Sequence, residues 1–250
     1  MCQKRIHMPG YNRRIVRLSS LSATKGFPGV ASPLNHLMRA RRRKGHGIHS
    51  PYVYHLVSDV LYNKHPYYCF ETLKCLNAED KGSHRFGRIL FKLASDTRST
   101  QALYIGCNGS PDLAYLAMVG TKLQVKAIAL DKNAFSLTQA LNATLQTESL
   151  SVVPAFDQVA FLRQLAEIPQ IDLVVFRSIP DQVTLSLMME ACLKKCHHKS
   201  VFVVNQPHDK TMAACWSQAK KVEAVTAILE SSQFGLLLFR PDLEKKQYHL

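Results

Sequence analysis

The first fifty residues contain no aspartate or glutamate, yet they hold 11 of the 32 lysines and arginines. The formal charge of +14 is therefore a property of this leader, because the other 21 bases share residues 51–250 with all 18 acids. The body is close to neutral, which argues against a nucleic-acid-binding face on it. Contact with a polyanion is expected to be weak and confined to the leader and to "RARRRK", Arg39–Lys44. The chain also lacks any run of about 18 apolar residues, so no membrane-spanning helix is expected. It has no internal repeat. Its seven cysteines are odd in number and irregular in spacing, which excludes a disulfide framework and fits a reducing, cytoplasmic setting. In "CLKKCHHK", Cys192 and Cys196 stand four apart on one helical face. A structural zinc site draws on two such pairs, and the second pair is missing. The lysines there suit the negative end of a helix dipole. Residues 1–33, rich in Arg and Ser without a compact apolar core, read as a disordered leader or an organellar targeting segment.

What is present is a regular alternation. Residues 34–80 are helical in pattern. "LNHLMRARRRK" is a short basic helix. "SPYVYHLVSDVLYN" offers Ser50 as N-cap, Pro51 at the first helical position, and Val53, Leu56, Val57, Val60 and Leu61 at helical spacing. "YYCFETLKCLN" continues in that manner and "AEDKGS" is a linker. Residues 81–250 then alternate helix and strand. The strands are "QALYIG", "VKAIALD", "SLSVVPA", "IDLVVFRS" and "SVFVVNQ", and two tightly joined strands end in "FGLLLFR". Five β–α units and a terminal hairpin predict an α/β, Rossmann-like, mainly parallel sheet covered on both faces. Ligands of such sheets bind beyond the carboxyl ends of the strands.

Three strand ends carry candidate chemistry. The turn "YIGCNGSPD" places Gly106, Cys107, Gly109 and Ser110 before a helix opened by Pro111, whose first N–H groups suit an anion. A three-glycine dinucleotide fingerprint is absent, and a plain tight turn is the alternative. Asp131, followed by Lys132, ends the second strand, where an acid accepts hydrogen bonds from ribose hydroxyls; a helix cap is its alternative. Asp157 faces an adenine edge or caps the next helix. Together these features point to a nucleoside-bearing cofactor.

With these residues in place, the chain resembles the class I S-adenosylmethionine-dependent methyltransferases, and within them a bacterial branch found in Bacteroidetes. The similarity runs from about Leu34 to Leu250. It rests on "RKGHGIHSPYVYHLVSDVLYNK", "GRILFKLA", "LYIGCNGSPDLAYLA", "IALDKN", "IDLVVF" and the tail "LLLFRPDLEKKQYHL". The resemblance implies a seven-stranded sheet whose last strand is antiparallel, and S-adenosylmethionine as cofactor. It also implies N-terminal helices that cover the cofactor cleft or form the face of a homodimer. His46 and His49 then read as packing or hydrogen-bonding residues, without a metal-ligand set.

Departures from the family pattern matter. Tyr104 stands where an acid usually precedes the first glycine. Arg177 and Ser178 replace an acid–glycine pair after the fourth strand. Asn205 and Gln206 replace paired acids after the fifth. A divalent cation needs hard oxygen ligands, so no metal dependence is expected. Direct transfer to an unidentified methyl acceptor remains, with His208 as the candidate base at a strand end and Arg177 either holding an acidic acceptor or pairing with Asp181. The alternatives are a degenerate, non-catalytic binding or scaffolding relative, and an RNA-modifying enzyme that uses the leader as an arm. Deleting residues 1–33 is expected to leave the melting temperature, followed by circular dichroism, within a few degrees of the full chain.

Overall fold

A computed structural model describes residues 33–250. The expectations for the leader lie outside the described residues. Leu37–Leu250 forms one compact unit, built on an eight-stranded sheet in the order β3-β2-β1-β4-β5-β7-β6-β8. The strands are β1 (Gln101–Ile105), β2 (Gln124–Ala129), β3 (Leu150–Pro154), β4 (Ile171–Phe176), β5 (Cys196–Asn205), β6 (Ala227–Glu230), β7 (Phe234–Leu238) and β8 (Lys246–His249). β1 to β5 pair in parallel, and β7 alone runs against its neighbours β5 and β6. β4 is buried at every position except Asp172, as its otherwise apolar sequence requires when helices cover both faces.

Seven strands with an antiparallel final strand is corrected to eight. β8 pairs in parallel with β6 at the sheet edge. "KQYH" has no apolar run to reveal it, and only Tyr248, with Leu250 just beyond, is buried.

The helices form two layers. α4 (Lys81–Asp96), α5 (Pro111–Ala117) and α6 (Lys132–Leu145) share one core with the N-terminal segment. α7 (Gln158–Ala166), α8 (Gln182–Leu193) and α9 (Met212–Ala219) share the other. On that second face Trp216, the chain's one tryptophan, is buried over β7. A Cβ on Gly235 would lie 2.5 Å from its ring. Its indole nitrogen is buried and, among the described residues, has no hydrogen-bond partner.

The N-terminal segment comprises α1 (Pro33–Arg42), α2 (Pro51–His55), a π-helical turn (Leu56–Leu61) and α3 (Tyr68–Leu73). Ser50 caps α2 by accepting from the Val53 N–H, as its position before Pro51 predicts. The helix then widens, with the Tyr62 N–H reaching back to the Val57 carbonyl. The buried Lys92 of α4 closes this end by donating to the Leu61 and Asn63 carbonyls at 2.8 and 3.0 Å. Phe70 of α3 packs edge-on against Phe91 and Tyr115, which joins α3 to α4 and α5. The two motifs that carry the family resemblance meet here, with the Arg240 guanidinium of the tail 4.1 Å over the Tyr52 ring. Gly45, at φ +83°, lies under Tyr54, and a Cβ there would be 2.3 Å from its ring. The stretch "GHGIHSP" thus serves as a packing corner through Gly45 and Ile48, both buried. His46 and His49 are exposed, so the histidines do not form it.

The "AEDKGS" linker is shorter than the sequence indicates. Asp80 accepts from the Ser83 N–H at 3.0 Å, and α4 begins at Lys81. Gly87 marks the crossing of α4 and α5. A Cβ there would meet the Tyr115 ring at 2.5 Å and the Asp112 backbone at 2.8 Å. Alanine normally stabilises a helix interior by about 1 kcal/mol over glycine. At this crossing overpacking costs about 1–3 kcal/mol and prevails, so Gly87→Ala is expected to lower the urea midpoint.

Candidate functional site

The strand ends of a parallel sheet gather three aspartates by one local rule. Asp131, Asp157 and Asp181 each take an extended conformation and cap the following helix. Asp131 accepts from the Ala134 N–H at 2.8 Å and Asp157 from the Ala160 N–H at 2.7 Å. One oxygen of each carboxylate makes the cap. Among the described residues, the other oxygens of Asp131 and Asp157 have no hydrogen-bond partner. Both residues are exposed, as is Lys132 at the start of α6. The capping alternative is thus present in the structure, and it leaves an acceptor over at each site.

The glycine turn is built against protein. Gly106, at φ +77°, has the Ser178 carbonyl so near that a Cβ would lie 2.1 Å from it. The Gly106 and Cys107 N–H groups donate to the Ile128 carbonyl at 3.0 and 3.2 Å. The Gly109 N–H donates to the Thr138 hydroxyl at 2.9 Å. Cys107 is buried, and burial pushes its thiol up to about 11, so it is no nucleophile at neutral pH. Ser110 stands at the cap position of α5, but its hydroxyl donates to Asp112 and caps nothing.

Asp112 is the residue the sequence did not single out. It is wholly buried in the first turn of α5. It accepts from the Tyr104 hydroxyl, the Ser110 hydroxyl and, at 3.0 Å, the Arg177 guanidinium. The acid absent from position 104 is thus supplied from the next helix, with the tyrosine reaching across to it. Arg177 also donates to Ser83 of α4 at 2.9 Å. Its pairing with Asp181 is corrected. Asp181 is occupied by the Thr184 N–H and hydroxyl, and Arg177 turns inward to Asp112. Burial opposes the charge on Arg177, but Asp112 beside it holds its pKa above the ordinary value. The tyrosine hydroxyl is driven well above its usual range, first by burial and then by the same carboxylate. No alternation or motif marks such a network, because its members come from β1, α4, α5 and the β4–α8 loop.

On the side of the sheet covered by α7 and α8 a cavity of about 190 Å³ opens between those helices, lined by Leu130, Phe156, Asp157, Phe161, Pro180 and Met188 among others. The surrounding face is apolar. Phe156, Val159, Leu162, Val183 and Leu187 are large hydrophobics left exposed. Asp157 therefore reaches the cavity, while Asp131 follows Leu130 at its wall. His208 lies elsewhere. Its imidazole is 3.3 Å from Glu230 at the end of β6, on the far side of β5 from β1. Asn205 is buried. Cys192 and Cys196 do not share a helical face, since α8 ends at Leu193 and Cys196 opens β5. Among the described residues no cluster of three His, Cys, Asp or Glu forms a metal site. No described helix is long and apolar enough to cross a membrane.

No family model and no curated protein matches the chain. Solved structures do match its fold. An O-methyltransferase of Bacillus cereus in complex with S-adenosylhomocysteine aligns at a TM-score of 0.53 and 15% identity, over 73% of this chain and 94% of that one. The O-methyltransferase TomG of Streptomyces achromogenes, involved in tomaymycin synthesis and in complex with S-adenosylmethionine, aligns at 0.54 and 14%, over 70% and 91%. The chain has the Rossmann-like sheet of these methyltransferases.

Removing one partner of a buried ion pair leaves the other charge stranded, at a cost of about 3–5 kcal/mol. Asp112→Ala is expected to destabilise the fold by that order in urea unfolding. Combined with Arg177→Met it is expected to cost less than the two single changes summed, with a coupling of about 0.5–3 kcal/mol.

Proposed function

We propose that this protein is an S-adenosylmethionine-dependent methyltransferase acting without a metal ion on an acceptor still to be identified, and that it belongs to the Bacteroidetes branch whose opening and tail motifs it resembles. One observation carries the reading. Asp131 and Asp157 each keep a second carboxylate oxygen without a partner among the described residues; Asp157 lines an apolar cavity at the carboxyl edge of the sheet, and Asp131 directly follows Leu130 in its wall. That combination suits a nucleoside, whose ribose hydroxyls need an acceptor and whose base needs apolar walls and a polar edge.

The residues fit the cofactor at its nucleoside end. Asp131 would accept from the ribose, and Leu130, Phe156 and Asp157 would hold the base. The turn from Gly106 to Ser110 would border the remainder. Such a cofactor supplies an activated methyl group, so the chain has chiefly to align the acceptor and exclude water. The buried Asp112–Arg177 pair would hold α4, α5 and the loop after β4 together near the strand ends. His208 is engaged by Glu230 and is not given the role of base. Asn205, Gln206 and Arg177 supply no carboxylate at the strand ends where a divalent ion would need one.

A second reading, a non-catalytic binding module, is favoured by a different observation. The Gly106, Cys107 and Gly109 N–H groups are all spent on protein acceptors. Calorimetric titration with S-adenosylmethionine and S-adenosylhomocysteine separates the two. Saturable binding is expected, and none at millimolar ligand would leave the second reading standing. Asp131→Ser keeps a capping oxygen and removes the spare one. It is expected to weaken binding by about 1–3 kcal/mol. Any methyl transfer is expected to survive a chelator, and activity lost to the chelator and restored by magnesium would overturn the metal-free assignment.

A further inference from the structure

On the other side of α4 lies a larger cavity that the methyltransferase reading does not use. It measures about 680 Å³ and is walled by α3, α4, the segment after the π-helical turn, and the β6–β7 turn at Ser231–Phe234. Arg85, Arg88, Ile89 and Lys92 recur along α4 at spacings of three and four, which puts them on one helical face. Ser83, which receives Arg177, points the other way around the helix. The cavity is thus separate from the Asp112 cluster.

Its charge is one-sided. Arg43, Lys64, Lys74, Arg85, Arg88 and Lys92 line it, against the single acid Glu71. Glu71 is already bound to Lys74 at 2.5 Å. Among the described residues none of the other five bases forms a salt bridge. Residues 1–50 contain no acid that could supply one.

Two of these side chains are held in place and left incomplete. The guanidinium of Arg43 sits 5.7 Å over the Tyr62 ring, and that of Arg88 5.7 Å over the Phe70 ring. At that distance each cation is attracted to the ring face. The Nε atoms of both are buried and, among the described residues, have no hydrogen-bond partner. A buried charged donor without an acceptor is unfavourable. Lys92 sits at the back, with its pKa lowered to about 8 first by burial and then by Arg88.

We propose that this cavity is a binding site for a small multivalent anion, a phosphate ester or a polycarboxylate, gripped by Arg43, Arg85 and Arg88. The volume falls in the range of small-molecule pockets, about 300–1,000 Å³, and planar guanidinium forks match phosphate and carboxylate oxygens in pairs. The proposal does not rest on the methyltransferase reading, because the two sites share no residue.

The test uses the full chain, titrated calorimetrically with pyrophosphate, with citrate and with a single-stranded oligonucleotide. One-to-one binding of pyrophosphate or citrate at moderate salt supports the proposal, and the tighter of the two identifies the anion class. Arg88→Gln is expected to weaken that binding at least tenfold. Arg85→Gln and Lys64→Gln, at exposed positions, guard against a folding defect and are expected to weaken it severalfold with unchanged melting temperature. Failure of both anions to bind at millimolar concentration would overturn it. So would equal binding by all three variants, or an oligonucleotide affinity that grows with length and exceeds that of both anions, which would make the basic face a nucleic-acid contact.

Discussion

A single buried carboxylate, Asp112, holds the working edge of this sheet together. Its oxygens receive a tyrosine from β1, a serine from the loop before its own helix, and an arginine from beyond β4. The arginine continues to α4. An ion pair in the interior holds its members only when the remaining donors are also satisfied, and here the hydroxyls complete the shell. The result is that β1, α4, α5 and the β4–α8 loop are fixed relative to one another at the place where a parallel sheet offers its ligand site.

The tightness of that edge follows from the same constraint. With Arg177 drawn inward, Ser178 lies over the glycine turn, and Gly106 is needed to admit its carbonyl. The turn therefore has two demands on it. It must let one strand's loop pass another, and it must border whatever binds at the neighbouring aspartates. The first demand is visible in the structure without any ligand.

Much of the architecture was legible in the sequence because it rests on local rules. β4 announces itself as an apolar run, α2 by Ser50 and Pro51, and α6 to α8 by aspartates at their caps. The glycine turn and Asp131 were placed correctly at strand ends by the alternation alone. What stayed hidden is non-local. The partner of Arg177 sits 65 residues away, and the nearer Asp181 was the natural choice from spacing. The widened helix at Leu56–Leu61 has its last carbonyl taken by Lys92, 31 residues downstream of Leu61. β8 is paired by its backbone, with little apolar pattern to betray it. His46 and His49 drew attention by their type, whereas the work of that motif is done by Gly45 beneath Tyr54 and, in the helix that follows, by Tyr52 beneath Arg240.

The lone tryptophan has a use that follows from where it lies. Trp216 belongs to the core beneath α7, α8 and α9, on the opposite face of the sheet from the arginine-lined cavity, and it is shielded from water by β7 and Gly235. Its fluorescence is then a natural optical label for one half of the molecule. It reports the α9 layer loosening from the sheet, while binding events beside α4 reach it only through the strands between. A chromophore that is unique and buried lets the unfolding of that layer be followed, and its contact at Gly235, next to Phe234 of the cavity wall, couples it to the basic cavity through one strand.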